Sequence, residues 1–210
     1  SGGALSESGA PGTGPGGIPE GRLAFCRADQ LVIEDSWHTH GLRGSGSNHY
    51  RAEGVFIPED QALRIEDAMF AGRDPLYSRG FNWVTTMAAV PIGTARRAID
   101  EAKALVATRK AGIPPRPMVE TVQAREAIAR AGMVHGAARA FLYRSAEEFW
   151  AELEQGAPDV ETKGRLALAN VNAFRMAVEV TRQMFDLIGA NVIFHGSVLE
   201  RLARDALTLN

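Results

Sequence analysis

From Phe81 to the last residue, apolar side chains recur at three- and four-residue steps. Upstream, the short apolar runs alternate instead, so the chain changes period near Phe81, and that change constrains its fold more than any other feature. Val84, Ala88, Ile92, Ala95, Ile99, Ala102 and Val106 form one face of a helix expected over about 81–110. Pro91 lies inside it, and an interior proline costs about 3 kcal/mol, so this helix bends at Pro91 or starts close to it. Gly112, Pro114 and Pro115 end it. A second helix is expected over 118–144, with Val122, Ala127, Ile128, Ala131, Val134, Ala138, Phe141 and Leu142 as its stripe. Ser145-Ala146-Glu147-Glu148 has the pattern of a capping box and predicts a restart through Leu153, stopped by Gly156-Ala157-Pro158. Asp159 is a good N-cap for a third helix, with Leu166, Ala169, Ala173, Ala177, Val180, Met184 and Leu187 on one face and Gly189 at its end. Ser197 and Glu200 open a fourth from Val198.

Three long helices and a shorter one, joined by tight turns, predict an antiparallel up-down bundle. Its apolar faces are rich in Ala, and apolar surface beyond a single face predicts a homo-oligomer, dimer or tetramer. There is no internal repeat and no sustained heptad.

Before Phe81 the reading is a small antiparallel β segment. Arg22–Arg27 and Gln30–Glu34 are short strand candidates. Tyr50–Ile57 is a third, stopped by Pro58. Three strands need a further surface to cover them. Residues 1–21 are mostly Gly, Pro and Ser and read as a loop or linker. Between strands, Gly41–Ser47 reads as a shaped connection, because glycine lets other groups approach the main chain. Pro58–Gly80 reads as a connection with turns at Pro58-Glu59-Asp60 and Gly72–Pro75. The division expected is 1–60 as a partial β-domain, 61–80 as connection and 81–210 as helical bundle.

Composition narrows the partners. With 45% hydrophobic and 23% charged residues, the chain is ordinary for a globular protein. A net charge of −2 gives no electrostatic case for nucleic acid or an anionic membrane. No apolar run reaches membrane-spanning length and no secretory signal is visible, so a cytoplasmic location is expected. The chain begins with Ser, which predicts a partial or processed chain. The single cysteine, Cys26, reads as a buried apolar thiol in a strand.

Few residues stand out chemically. His38 and His40 are the only close histidine pair; in a strand they would share a face, but no third ligand is visible, so no metal is expected. His135 lies beside an apolar stripe and reads as structural. Arg43, in the glycine-rich turn, suits a carboxylate, a phosphate or a flavin edge, with a surface ion pair as the alternative. Trp37 suits the wall of a ring-binding pocket, with a core position as the alternative. These two are the candidate substrate-binding residues.

The run Trp37…Gly41-Leu42-Arg43-Gly44-Ser45-Gly46-Ser47-Asn48, followed by Val55-Phe56-Ile57-Pro58-Glu59 and a long helical region, resembles the acyl-CoA dehydrogenase superfamily, in particular its branch of two-component flavin-dependent monooxygenases. Ile188-Gly189-Ala190-Asn191, then Arg201-Leu202-Ala203-Arg204-Asp205, resembles that family's late glycine turn and R-x-x-R-D helix. The resemblance covers the family's second half: the end of the β-domain and the C-terminal four-helix bundle. It implies a tetramer, a small-molecule substrate and FAD or FMN as cofactor. It also implies that Arg109 and Gln123 contact the flavin pyrophosphate across a subunit interface, and that Gly189, Ala190 and Asn191 lie against a neighbour's cofactor. A charged side chain at a helix end is equally explained by the helix dipole. Arg201, Arg204 and Asp205 read as an ion-pair network between helices. The family's catalytic residues fall outside the matched positions, so the catalytic group is unknown.

The activity implied is hydroxylation of an aromatic or polycyclic substrate by reduced flavin and oxygen, with a flavin reductase as partner. The alternatives are α,β-dehydrogenation of an acyl-CoA thioester by FAD, and a non-catalytic assembly module.

Overall fold

The structure is a computed structural model that describes residues 22–64, 81–194 and 196–210. The expectations for residues 1–21 and for the connection over 65–80, the Val84 side chain and His195 lie outside the described residues. The chain divides into two units: one holds the residues up to His38 together with Gly46–Arg79, the other Thr39–Ser45 with Gly80–Asn210.

The first unit carries two separate antiparallel pairs, not one three-stranded sheet. β1 (Arg22–Ala24) pairs with β4 (Ala62–Arg64), Leu23 opposite Leu63. β2 (Val32–Glu34) pairs with β3 (His49–Arg51), Ile33 opposite Tyr50. The strand read as Tyr50–Ile57 is therefore only three residues long. Gly54, at φ +64, lies in the left-handed region and ends extended structure before Val55. The partner of β1 comes from the stretch read as connection, which local pattern could not show because its pairing spans the unit. Gln30 belongs to a 3-10 turn over Ala28–Gln30, held by its own carboxamide accepting from the Arg27 N–H. Cys26 follows β1 and is half-buried rather than buried in a strand. Ile33 and Tyr50 on the β2–β3 pair and Phe56 beyond it are exposed.

The second unit is the bundle. α1 (Phe81–Thr108) runs unbroken through Pro91, which is fully buried. Ala88, Ile92, Ala95, Ile99, Ala102 and Val106 are all buried, as their spacing requires. After α1, β5 (Lys110–Ala111) pairs with β6 (Arg116–Pro117) in a short ribbon that turns at Gly112, φ +85.

α2 (Val122–Glu154) is one helix of 33 residues. The expected restart at Ser145 does not occur: Ser145 is buried within the helix, so its hydroxyl packs in the core instead of capping. The true N-cap is Thr121, whose side chain accepts from the Ala124 N–H at 3.2 Å. The buried face is Ala124, Ala131, His135, Ala138, Leu142, Ser145 and Phe149, while Val122 and Phe141 are exposed. The apolar pattern misplaced this stripe because one histidine and one serine stand in the core.

α3 (Val160–Ile188) starts at Asp159, whose carboxylate accepts from the Thr162 N–H at 2.7 Å. Leu166, Ala169, Ala173, Ala177, Val180 and Met184 are buried. Gly189, φ +70, closes it. α4 (Val198–Leu209) is capped by Ser197, which accepts from Glu200 N–H.

Cross-helix contacts give the directions. The Met118 N–H donates to the Arg109 carbonyl at 2.9 Å, and His135 Nε2 lies 3.3 Å from the Ile92 carbonyl oxygen. Equal steps back along α1 and forward along α2 join these pairs, so the two helices are antiparallel. α2 and α3 are antiparallel too: Thr162 Oγ1 donates to Glu152 at 2.7 Å and, further along α3 and back along α2, Arg165 donates to Glu148 at 2.6 Å. Alanine fills the contact lines, which lets the backbones of α1, α2 and α3 approach closely.

Candidate functional site

Antiparallel order decides which loops meet. The end of α1, the start of α2 and the end of α3 lie at one end of the bundle. That end carries Arg109, Gln123, Gly189, Ala190 and Asn191, the residues expected to hold the cofactor.

Arg109 is the charged member. Its backbone closes α1 by donating to the Leu105 carbonyl at 3.1 Å and accepting from Met118. Its side chain is half-buried, and Nη1 is buried without a hydrogen-bond partner among the described residues. A buried N–H of a guanidinium left unpaired is expensive, so an acceptor there would be held strongly. Gln123 lies in the first turn of α2 and is exposed. Beyond α3, Gly189–Val192 form a 3-10 turn in which Ala190 and Asn191 are exposed. Among the described residues, apart from its own chain neighbours, no atom lies within 4 Å of where a Gly189 Cβ would stand. Glycine is therefore favoured there by its positive φ. The Arg109 Nη1, without a hydrogen-bond partner among the described residues, suits an anionic oxygen such as a phosphate.

The glycine-rich turn is the second locus. In the bundle unit, His40–Ser45 docks on α4. Leu42 N–H donates to Asp205 Oδ1 at 2.7 Å, and Arg204 Nη1 donates to the His40 carbonyl at 2.6 Å. Gly41 is buried, and a Cβ on it would overlap the Arg204 carbonyl oxygen and lie 2.6 Å from Thr208 Oγ1. Leu42 has φ +53, unusual for a residue with a branched side chain. Arg43–Ser45 then form a 3-10 turn with Arg43 exposed. Arg204 also pairs with Glu200 on its own helix, Nη2 donating at 3.0 Å, and this pairing holds the guanidinium above its ordinary pKa. The interhelical ion-pair network expected of Arg201, Arg204 and Asp205 is thus replaced by a helix-to-turn clamp. The carbonyl of His40 and the amide of Leu42 are backbone groups, so no residue-type pattern could have announced them. His40 and Arg204 also wall an open groove of about 520 Å³ between α3 and α4, floored by Val178, Phe185 and Leu207.

Trp37 is half-buried in the first unit, its N–H donating to Asn48 Oδ1 at 2.9 Å. Residues 35–39 form no strand, so the shared-face argument for His38 and His40 does not apply. His38 Nε2 instead meets the Asp35 carbonyl at 3.1 Å. Among the described residues no group of three or more His, Cys, Asp or Glu could hold a metal ion. His135 is structural: burial lowers its pKa, and the hydrogen bond to Ile92 opposes that shift.

The second unit, an up-down four-helix bundle with Arg109 and the Gly189 turn at one end, is of the class of helical domains that pack as antiparallel bundles. Over residues 85–210 the chain matches the family described as acyl-CoA dehydrogenase, C-terminal domain, and it belongs to that family. It is 30% identical over 192 residues to indole-3-acetate monooxygenase of Pseudomonas putida, a match covering 88% of this chain and 48% of that protein. With the flavin-dependent monooxygenase, oxygenase subunit HsaA, of Rhodococcus jostii it shares 26% identity over 83% of this chain and 48% of that one. The structure of XiaF from Streptomyces sp., in complex with FADH2 and glycerol, superposes with a TM-score of 0.79 at 21% identity, over 95% of this chain and 53% of XiaF. That last likeness shows the fold. The chain spans about half the length of the relatives it matches.

Proposed function

We propose that the protein is the oxygenase component of a two-component flavin-dependent monooxygenase. It takes reduced FMN or FAD from a flavin reductase and hydroxylates an aromatic or polycyclic small molecule with O2. The observation that carries the reading is the 30% identity to an indole-3-acetate monooxygenase across most of this chain. The buried Nη1 of Arg109, without a hydrogen-bond partner among the described residues, supports it, because either flavin brings phosphate oxygens to which such a donor would donate. Bound reduced flavin supplies two electrons, so one oxygen atom enters the substrate and the other leaves as water.

In this reading the expected site residues keep the roles that the family resemblance implies. Arg109 and Gln123 hold the anionic part of the flavin, and Gly189, Ala190 and Asn191 lie against it. Trp37 and Arg43 contact the substrate, and the catalytic group is unassigned. The expected boundary at 60 moves to include Ala62–Arg64, which pairs with β1, so the β pairs within 22–64 close a β-domain and 81–210 form the bundle. The protein is a cytoplasmic homo-oligomer, dimer or tetramer, without nucleic-acid partners. The exposed apolar side chains Met133, Leu168 and Val171, along a groove of about 730 Å³ between α2 and α3, favour association through helices. Among the described residues no helix is long and apolar enough to cross a membrane.

The complete protein, given reduced flavin, O2 and indole-3-acetate or p-hydroxyphenylacetate, is expected to release a hydroxylated product. A parallel assay with acyl-CoA thioesters and an electron acceptor tests the dehydrogenase alternative. Turnover there, with none on the aromatic acids, would overturn the proposal.

A further inference from the structure

The described residues that dock the glycine-rich turn on α4 are unusually specific. A carboxylate takes one backbone N–H, a guanidinium takes the carbonyl two residues earlier, and a glycine lies between them where no Cβ fits. Between 40 and 42 the chain is gripped on both sides of Gly41. The grip holds Leu42 at φ +53, a conformation a leucine leaves when released. The next residue is Arg43, whose exposed guanidinium starts from a backbone already fixed. Thr208 adds to the same platform, its hydroxyl donating to the Arg204 carbonyl at 3.0 Å. Strain held by a charge-assisted hydrogen bond beside an exposed cation is the arrangement expected where a side chain must be presented in one attitude.

We propose that Asp205 and Arg204 are positioning residues for Arg43: by clamping Leu42 and His40 on α4 they set the turn from which Arg43 meets the carboxylate of an aromatic acid. The proposal rests on the reading of Arg43 as a substrate contact. Asp205 touches no substrate and acts through the Leu42 amide. A neutral amide oxygen would still accept that N–H, so Asp205→Asn keeps the clamp and Asp205→Ala releases it.

The test has two arms, both on the complete protein. The first is hydrogen exchange of the backbone amides over 40–45, which needs no ligand. Asp205→Ala is expected to lose at least tenfold protection there while α1–α3 stay protected, and Asp205→Asn to stay near the parent. Parent-like protection of the turn in Asp205→Ala would overturn the clamp. Global loss of protection in that variant would assign Asp205 to folding alone, and Arg204→Gln, assayed the same way, would then have to show local loss for the clamp to stand. The second arm is a double-mutant cycle on the KM of indole-3-acetate with reduced flavin and O2. Asp205→Ala and Arg43→Ala are each expected to raise KM about tenfold or more with kcat within a few-fold. The double variant should be no worse than Arg43→Ala, because neighbours acting through one another are not additive. Multiplying effects would show that Asp205 does not work through Arg43. A parent protein that turns over neither aromatic acid would remove the monooxygenase reading and the role of Arg43 with it, while the exchange arm still judges the clamp.

Discussion

His135 Nε2 lies 3.3 Å from the carbonyl oxygen of Ile92, tying the middle of α2 to the turn of α1 that follows Pro91. The ring is buried, and burial is the main reason its pKa falls below the ordinary value; Arg96 and Arg139 push the same way, while the Ile92 bond and Asp100 oppose. The neutral ring is therefore favoured in the folded state. Its contribution is fully present above the unfolded value of about 6.5 and is lost as pH falls from there through the lowered folded value. Chemical denaturation between pH 8 and pH 5 should show stability declining on acidification, and His135→Gln should flatten that part of the profile. A parent profile already flat over this range would contradict the assignment.

Ala177 is fully buried in the core cluster that α3 shares with its neighbours. A larger side chain there must push helices apart. Ala177→Leu is expected to lose about 1–3 kcal/mol, lowering Tm by about 2–4 °C per kcal/mol for a chain of this size. Ala129→Leu, on the exposed side of α2, should change Tm little.

Gly41→Ala tests the close approach directly. The added methyl meets the Arg204 carbonyl and Thr208 Oγ1, so the turn must lift and the Leu42–Asp205 bond must lengthen. Hydrogen bonds to charged groups are worth about 1.5–3 kcal/mol. Calorimetry should register a loss on that scale or below it, whereas Gly44→Ala, with open space around it, should be tolerated.

Arg109→Ala separates cofactor binding from helix capping. If the guanidinium holds a flavin phosphate, the variant should weaken FMN or FAD binding about ten- to a hundredfold, each ~1.4 kcal/mol being a factor of ten. If it only complements the end of α1, flavin affinity stays and stability drops by about 0.3–1 kcal/mol. A flavin titration paired with Tm distinguishes them, and an unchanged Kd would withdraw Arg109 from the site.

Association through helices predicts a dimer or tetramer by light scattering at micromolar concentration. Replacing exposed Leu168 and Val171 with Asp, on the groove between α2 and α3, should shift it toward monomer without loss of helix signal. A monomeric parent would remove any site built between subunits.

The sequence by itself determined the helices, because each must bury one face and that need is written as a local period. The stripes of α1 and α3, the Asp159 and Ser197 caps and the stop at Gly189 were all legible for that reason. The glycine-rich and R-x-x-R-D motifs were equally legible, and with them the family. Where a core position holds a polar residue the local signal fails, so Ser145 read as a helix start and the stripe of α2 was displaced toward Val122 and Phe141. Strand pairing was illegible because a pair's stability lies in a partner far along the chain: β1 finds Ala62–Arg64 and β2 finds His49–Arg51. The antiparallel course of the bundle brought Arg109, Gln123 and Gly189–Asn191 to one end. Only the tertiary structure showed that Asp205 grips the amide of Leu42, 163 positions away. The group it holds is backbone, which every residue carries and no residue type reveals.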